Sequence, residues 1–221
     1  AYWVFKKAKS RFGPRASVAL ALLVLFNPVS IFNSSMFGQI DSILVLFLVL
    51  SMDKLIQGKR LPACLLYVVA LLIKPQALML GPVYLFALIA DVLQEGKPAL
   101  KAWLTGIGAG IGLFVVAILP FWGSQSAFWI FGKYFGTMVS YAYNTINACN
   151  LFMLGGNWVP DTATALVVSY RTLGLIFVGL VIAASAFLYF KNPNRKNLPL
   201  VGAFLIAGCF VLGPYMRERY I

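Results

Sequence analysis

Lys74, Asp41, Arg217 and Arg219 are charged side chains standing where long apolar stretches of this sequence end, each with polar neighbours that could share in binding or transfer chemistry. Asp41 closes the string Asn33-Ser34-Ser35-Met36-Phe37-Gly38-Gln39-Ile40-Asp41-Ser42. A carboxylate there either caps the helix that follows, accepting from its free N–H groups, or faces a polar cavity together with Gln39. An acid beside lipid is costly unless paired or hydrated, which favours the cavity. Asn33-Ser34-Ser35 is also an N-glycosylation sequon, meaningful only in a eukaryotic lumen. Lys74-Pro75-Gln76 interrupts an apolar run between Leu61 and Asp91. Pro75 accounts for the break, because the residue before a proline is pushed out of helical geometry. It does not account for Lys74, a lone cation that suits a phosphate group as a point charge or snorkels to the interface.

Two further strings carry donors. Asn144, Asn147 and Asn150 recur at every third residue of Tyr141–Phe152, and Gly155-Gly156-Asn157-Trp158 follows. On a helix they would form one stripe. Amides beside aromatic rings suit sugar hydroxyls and the apolar faces of sugar rings; the same stripe would equally serve as the polar side of an interfacial helix. Tyr215-Met216-Arg217-Glu218-Arg219-Tyr220 sets two guanidiniums around one carboxylate. Arginine forks grip phosphate oxygens through paired bonds, and Glu218 could orient one of them; an interfacial salt-bridge anchor is the plainer alternative.

The elements that must position these groups are membrane helices. Hydrophobic residues make up 61% of the chain and charged ones 11%, and the mean hydropathy is +0.87. A bilayer accepts that much apolar surface directly, whereas a water-soluble core could not hide it. Apolar segments are expected near 16–32, 41–53, 61–73, 76–91, 102–120, 163–190 and 198–213. The expected fold is all-α and polytopic, with about seven transmembrane segments in one helical domain over residues 1–221. Several segments are short for a straight span, which calls for tilted or re-entrant helices. Thirteen of the eighteen Lys and Arg residues fall on alternate connectors, at 6–15, 54–60, 91–101 and 191–196. The positive-inside rule assigns those connectors to the cytoplasm. The other connectors, including Lys74-Pro75-Gln76, the long loop 121–162 and the end at 214–221, then face the outside or a lumen. The chain opens at Ala1, and Tyr2-Trp3-Val4-Phe5 reads as the tail of an earlier apolar segment. A central or C-terminal part of a longer protein is therefore expected.

Other classes fall away. The net charge of +12 is spread in short clusters between apolar spans, as an orientation signal requires, and no basic soluble domain exists to bind nucleic acid. The sequence has no histidine, which removes His-based catalysis and His-ligated metal from this segment. Cys64, Cys149 and Cys209 suggest neither a disulfide framework nor a zinc site. Asp53, Asp91 and Glu95 read as ordinary interface charges on the basic side, and Asp161 lies on the other. Gly106, Gly108, Gly110 and Gly112 run through one span as a close-packing face rather than a phosphate loop.

Taken in order, Asn27-Pro28, Gly38-Gln39-x-Asp41-Ser42, Lys74-Pro75-Gln76, the Asn-x-x-Asn-x-x-Asn loop ending in Gly-Gly-Asn-Trp, and Met-x-Glu-Arg-Tyr resemble the multi-pass GT-C glycosyltransferases. The nearest resemblance is to bacterial mannosyltransferase-like proteins related to the enzyme adding the second mannose of GPI anchors. The resemblance implies transfer of a sugar, mannose by that analogy, from a polyprenyl-phosphate carrier to a glycan, lipid or protein acceptor. It places the reaction on the outer face of a membrane, by analogy the bacterial cytoplasmic membrane. The carrier phosphate is the leaving group, so cations must steady it while a carboxylate takes the acceptor proton. In such proteins the catalytic Asp lies in the first outer loop, which would precede Ala1; Asp41 is then the best acidic candidate here, in a substrate-supporting role. Lys74, Arg217 and Arg219, oriented by Glu218, would hold the lipid phosphate. Gln39, Asp41, Gln76, Asn144, Asn147 and Asn150 would line the sugar site. Such proteins commonly carry His where this chain has Arg217, and that departure counts against proton transfer at the position. No cofactor is expected, and activity should be metal-independent. A flippase of lipid-linked sugars is the rival reading. Transporters, however, place polar groups at the midplane of repeated halves, and here the polar strings hug one face without a visible repeat. A purely structural membrane subunit would leave those strings unexplained.

Overall fold

A computed structural model of the protein describes residues 1–35, 38–126, 128–139, 142–165 and 167–217. They form two compact units, Ala1–Val45 and Leu46–Ile221. The first unit opens with α1 (Tyr2–Leu25), which breaks at Gly13, where φ is +75° and Pro14 follows. Helix α2 (Pro28–Ser35) starts on a side-chain cap: Asn27 Oδ1 accepts from the N–H groups of Val29 (2.9 Å) and Ser30 (3.3 Å). That pairing of Asn before Pro satisfies orphan donors and presets the first helical φ. Helix α3 (Asp41–Ile56) begins at Asp41 and runs on into the second unit.

The second unit is a set of helices that change direction at glycine and proline. Gly58, with φ +73°, turns the chain from α3 into α4 (Arg60–Ile73). Lys74, extended ahead of Pro75, ends α4, and a 3-10 turn over Pro75–Leu80 leads into α5 (Gly81–Glu95). Gly96 (φ +69°) then reverses the chain into α6 (Lys97–Ile118). Helix α7 (Trp129–Val139) lies within the long connector, followed by strand β1 (Thr145–Ile146) and a tight antiparallel pair, β2 (Thr164–Ala165) with β3 (Val168–Ser169). Ser169 caps α8 (Tyr170–Lys191) by accepting from the Thr172 N–H at 3.2 Å. Helix α9 (Leu198–Leu212) and strand β4 (Met216–Arg217) complete the described chain.

Helix α4 packs on α6 and α8 on α9, with α5 between the pairs. The core holds Leu55, Val83, Trp103, Tyr189, Leu198 and Leu205, all nearly inaccessible. Outward faces remain apolar, with Val116, Leu175 and Leu200 exposed, the pattern of helices whose solvent is lipid. Among the described residues, five helical stretches are long and apolar enough to cross a membrane: Tyr2–Phe32, Pro75–Glu95, Lys97–Phe121, Tyr170–Lys191 and Arg195–Leu212. The protein is thus a polytopic helical membrane protein. Of the seven expected segments, those near 41–53 and 61–73 correspond to shorter helices of 16 and 14 residues. Two boundaries differ from expectation. The first helix begins at Tyr2 rather than near residue 16, and the segment expected from 163 begins at Tyr170, because Thr164–Ala165 pairs with Val168–Ser169.

The basic connectors of the second unit meet at one end. Asp91 of α5 is 2% exposed. It accepts from Arg60 Nε (2.8 Å), Arg195 Nη2 (2.7 Å) and Trp103 Nε1 (3.0 Å). Glu95 completes the ring, at 2.6 Å from both arginines. The expectation of ordinary interface charges is therefore corrected for Asp91 and Glu95: they tie α4, α5, α6 and the start of α9 together.

Candidate functional site

The opposite end of the second unit carries the polar strings. Helices α4 and α9 run away from the charged ring, so Lys74 and the segment after Leu212 leave their helices at this end, and Arg171 enters α8 there. Its architecture comes from amides spent on backbone. Asn144, wholly buried, donates through Nδ2 to the carbonyls of Phe152 and Gly156, each at 3.3 Å, and accepts the Thr145 N–H at 2.6 Å. Asn150 Nδ2 donates to the Gly213 carbonyl at 3.2 Å. Asn147 is exposed in left-handed geometry (φ +52°), and its side chain bonds that of Asn157, whose Oδ1 in turn accepts the Asn147 N–H at 2.8 Å. The expected helical stripe is therefore not formed. Residues 142–150 are extended and turning, because each Asn offers the backbone an alternative to a helical ladder.

That loop meets the end of the chain. Strand β1 pairs in parallel with β4, Thr145 opposite Met216 and Ile146 opposite Arg217. Two strings that the sequence singled out, the Asn loop and the terminal basic string, are thus adjacent. Arg217 is described by its backbone, and Glu218 and Arg219 lie outside the described residues. Lys74 and Gln76 stand on the turn after α4, both half-buried, and that turn packs against α9. Gln39 and Asp41 belong to the first unit. Asp41 is the first residue of α3, where a carboxylate interacts favourably with the helix dipole, and its neighbour Ser42 bonds Ser34 at 2.8 Å.

One carboxylate at this end escaped the sequence reading. Asp161 Oδ2 accepts from Arg171 Nε and Nη2, both at 2.7 Å, and from the Tyr215 hydroxyl at 2.6 Å. Burial pushes this carboxyl up, but the hydrogen bonds from Tyr215 and Arg171 and the Arg171 charge outweigh it and hold it below the usual aspartate range. The signal was available. Asp161 is the only acid between Glu95 and Glu218, and Arg171 shares its otherwise sparsely charged stretch. Buried Oδ1 of Asp161, Oδ1 of Asn150 and Oε1 of Gln76 have no protein partner. All three are acceptors in segments at this end, and a hydroxyl donor, from water or sugar, would complete them.

An apolar groove of about 670 Å³ runs between α4, α5, α6 and α7. Tyr67, Leu71, Leu88, Ile111, Phe114 and Phe131 are among its lining residues. On α6 the lining runs from Trp103 to Ile118, about 22 Å of helix at 1.5 Å per residue. Helix α7 closes one side, its Tyr134 hydroxyl donating to the Leu71 carbonyl at 2.9 Å. Lys74 follows Leu71 by three residues, so the cation stands just past the groove's lining on α4.

Comparison with curated proteins and with solved structures gives no match. The family model of glycosyltransferase family 87 matches residues 1–214, which takes in every described helix, the Lys74-Pro75-Gln76 turn and the Asn loop and stops just short of Tyr215. With 214 of its residues matched, this chain belongs to glycosyltransferase family 87.

Proposed function

We propose that this glycosyltransferase draws its sugar from a polyprenyl-phosphate carrier and transfers it to a glycan, lipid or protein acceptor at the membrane face opposite its basic connectors. The apolar groove carries the reading. Its volume of about 670 Å³ lies in the range of ligand cavities, and its lining suits a hydrocarbon chain rather than a nucleotide. Lys74 is the cation nearest in sequence to its α4 lining, and we assign it to the phosphate headgroup. In the reaction the bond between the sugar's anomeric carbon and the phosphate oxygen breaks, and the acceptor oxygen bonds that carbon. The acceptor proton passes to a carboxylate, and polyprenyl phosphate leaves with its negative charge met by Lys74 and Arg217. The amides of Gln76 and the Asn loop serve the sugar hydroxyls, and Asp41 and Gln39 of the first unit are substrate-supporting groups. By resemblance to mannosyltransferase-like proteins, the sugar is mannose and the membrane the bacterial cytoplasmic membrane.

The test is label transfer by the full-length protein in lipid nanodiscs, given radiolabelled polyprenyl-phosphate-mannose and a mixed glycan-lipid extract. Label is expected on the acceptor. Lys74→Ala should lower the rate about a hundredfold, the scale of losing one stabilising group at a developing charge, and Asp41→Asn should lower it through weaker substrate binding. Transfer from a nucleotide sugar instead would sink the donor assignment. In sealed vesicles, label that crosses the membrane yet stays on its carrier would mark a flippase.

A further inference from the structure

Asp161 is 1% exposed and joins three segments distant in sequence: its own loop, the first turn of α8 through Arg171, and the exit of α9 through Tyr215. Its backbone joins in, for the Asp161 carbonyl accepts the Arg171 N–H at 2.9 Å and its N–H donates to the Ala142 carbonyl at 2.9 Å. Tyr215 is gripped at both ends. Its hydroxyl meets Asp161, and its N–H donates to the Asn144 carbonyl at 2.9 Å. It is also held at φ +65°, a left-handed conformation that a bulky residue adopts only when its surroundings impose it. Asn147 and Trp158, the other non-glycine residues with positive φ among those described, belong to the same assembly. Just before Tyr215, Pro214 sits so close on α8 that a Cβ at Gly174 would lie 2.4 Å from its ring.

This effort precedes a strand of two residues. A two-residue ladder cannot set its own register. Apolar packing would tether the chain end more cheaply than a buried carboxylate, which must be desolvated. What a buried hydrogen-bonded charge supplies in return is a unique alignment. We propose that Asp161 is a positioning residue for the transferase: by holding Tyr215 and Arg171 together, it fixes the register of Met216-Arg217 against Thr145-Ile146 and so places Arg217 for the donor phosphate. This rests on the donor reading above, since Arg217 matters to the reaction only if a phosphate arrives there.

The experiment uses the full-length enzyme in nanodiscs, with Asp161→Asn and the milder Tyr215→Phe, which leaves the Asp161–Arg171 pair intact and keeps the test alive if the first variant misfolds. Amide exchange is followed in residues 142–150 and 213–217, with 88–95 beside the distant charged ring as the internal control. Both variants should speed exchange about tenfold in the first two segments alone. Donor KM should rise about tenfold and kcat should fall with it, because Arg217 meets the donor phosphate both bound and leaving. Exchange at the wild-type rate overturns the proposal whatever the activity. Faster exchange with unchanged donor KM overturns it as well, since the clamp would then serve folding alone. If the wild-type enzyme transfers no label from this carrier, the donor reading fails separately, and the exchange arm decides the clamp.

Discussion

Asn144 spends its whole amide on the protein, and that makes it the residue whose loss the loop should feel most. Asn144→Ala leaves two carbonyls and one N–H without their partner in a buried place, a cost of about 2–3 kcal/mol. Asn147→Ala strips an exposed side chain and places a less tolerant residue at φ +52°, for about 1 kcal/mol. Limited proteolysis of the loop should rank the two in that order; the reverse ranking would mean that the loop is held from elsewhere. Asp161 adds a dependence on pH. Its folded-state pKa is lowered, so the stability it contributes is complete above the ordinary aspartate range and drains away as the pH falls through the lowered value. The protection of residues 142–150 against exchange, corrected for the intrinsic rate at each pH, should fall on acidification in the wild type and change little in Asp161→Asn. At this scale the sequence was a partial guide. The three-residue spacing drew attention to these amides but suggested a helix, because spacing cannot reveal that Asn144 and Asn150 turn toward backbone carbonyls and Asn147 toward Asn157. Asp161 went unpaired because its partners lie 10 and 54 residues away.

Helix contacts decide which of the clustered glycines matter. A Cβ on Gly106 would stand 3.0 Å from Cys64 Sγ and 3.4 Å from the Arg60 carbonyl, and one on Gly110 would stand 3.0 Å from Val68, whereas Gly108 and Gly112 face open space. Gly106→Val and Gly110→Val should therefore wedge α4 from α6 at about 1–3 kcal/mol each, while Gly108→Ala should gain up to about 1 kcal/mol from helix propensity. Thermal unfolding in detergent micelles would show the split, and equal losses at all positions would remove the notch. The close-packing role was legible in the run itself; which pair bears the contact depends on where α4 lies. The charged ring belongs to the same scale. Arg60 is nearly buried against Asp91, so Arg60→Ala strands a buried carboxylate and should cost about 3 kcal/mol or more. Glu95→Ala, at an exposed position, should cost no more than about 1 kcal/mol. A Glu95→Ala loss matching that of Arg60→Ala would show that the ring acts as one unit. The hairpin at 164–169 was invisible beforehand, since strands of two residues show no alternation.

At the scale of the molecule, the charge pattern and the fold agree on two ends of the second unit. Arg60, Asp91, Glu95 and Arg195 unite the basic connectors, while the Asn loop, Asp161 and Tyr215 gather at the other end. That division was readable from composition, because excluding charge from lipid forces it to helix ends wherever the helices lie. The way each end is knitted was not, for it depends on side chains far apart in sequence. The three cysteines offer a direct measure of orientation. Cys149 is exposed beside Asn150, whereas Cys64 and Cys209 are buried among the helices. The positive-inside rule puts Cys149 outside, so a membrane-impermeant maleimide should label intact cells expressing the protein, and Cys149→Ser should abolish that labelling. Labelling that appears only after the membrane is opened would turn the molecule over. The amides, Lys74 and the mouth of any donor site would then face the cytoplasm, where nucleotide sugars are at hand and a polyprenyl carrier would no longer be needed.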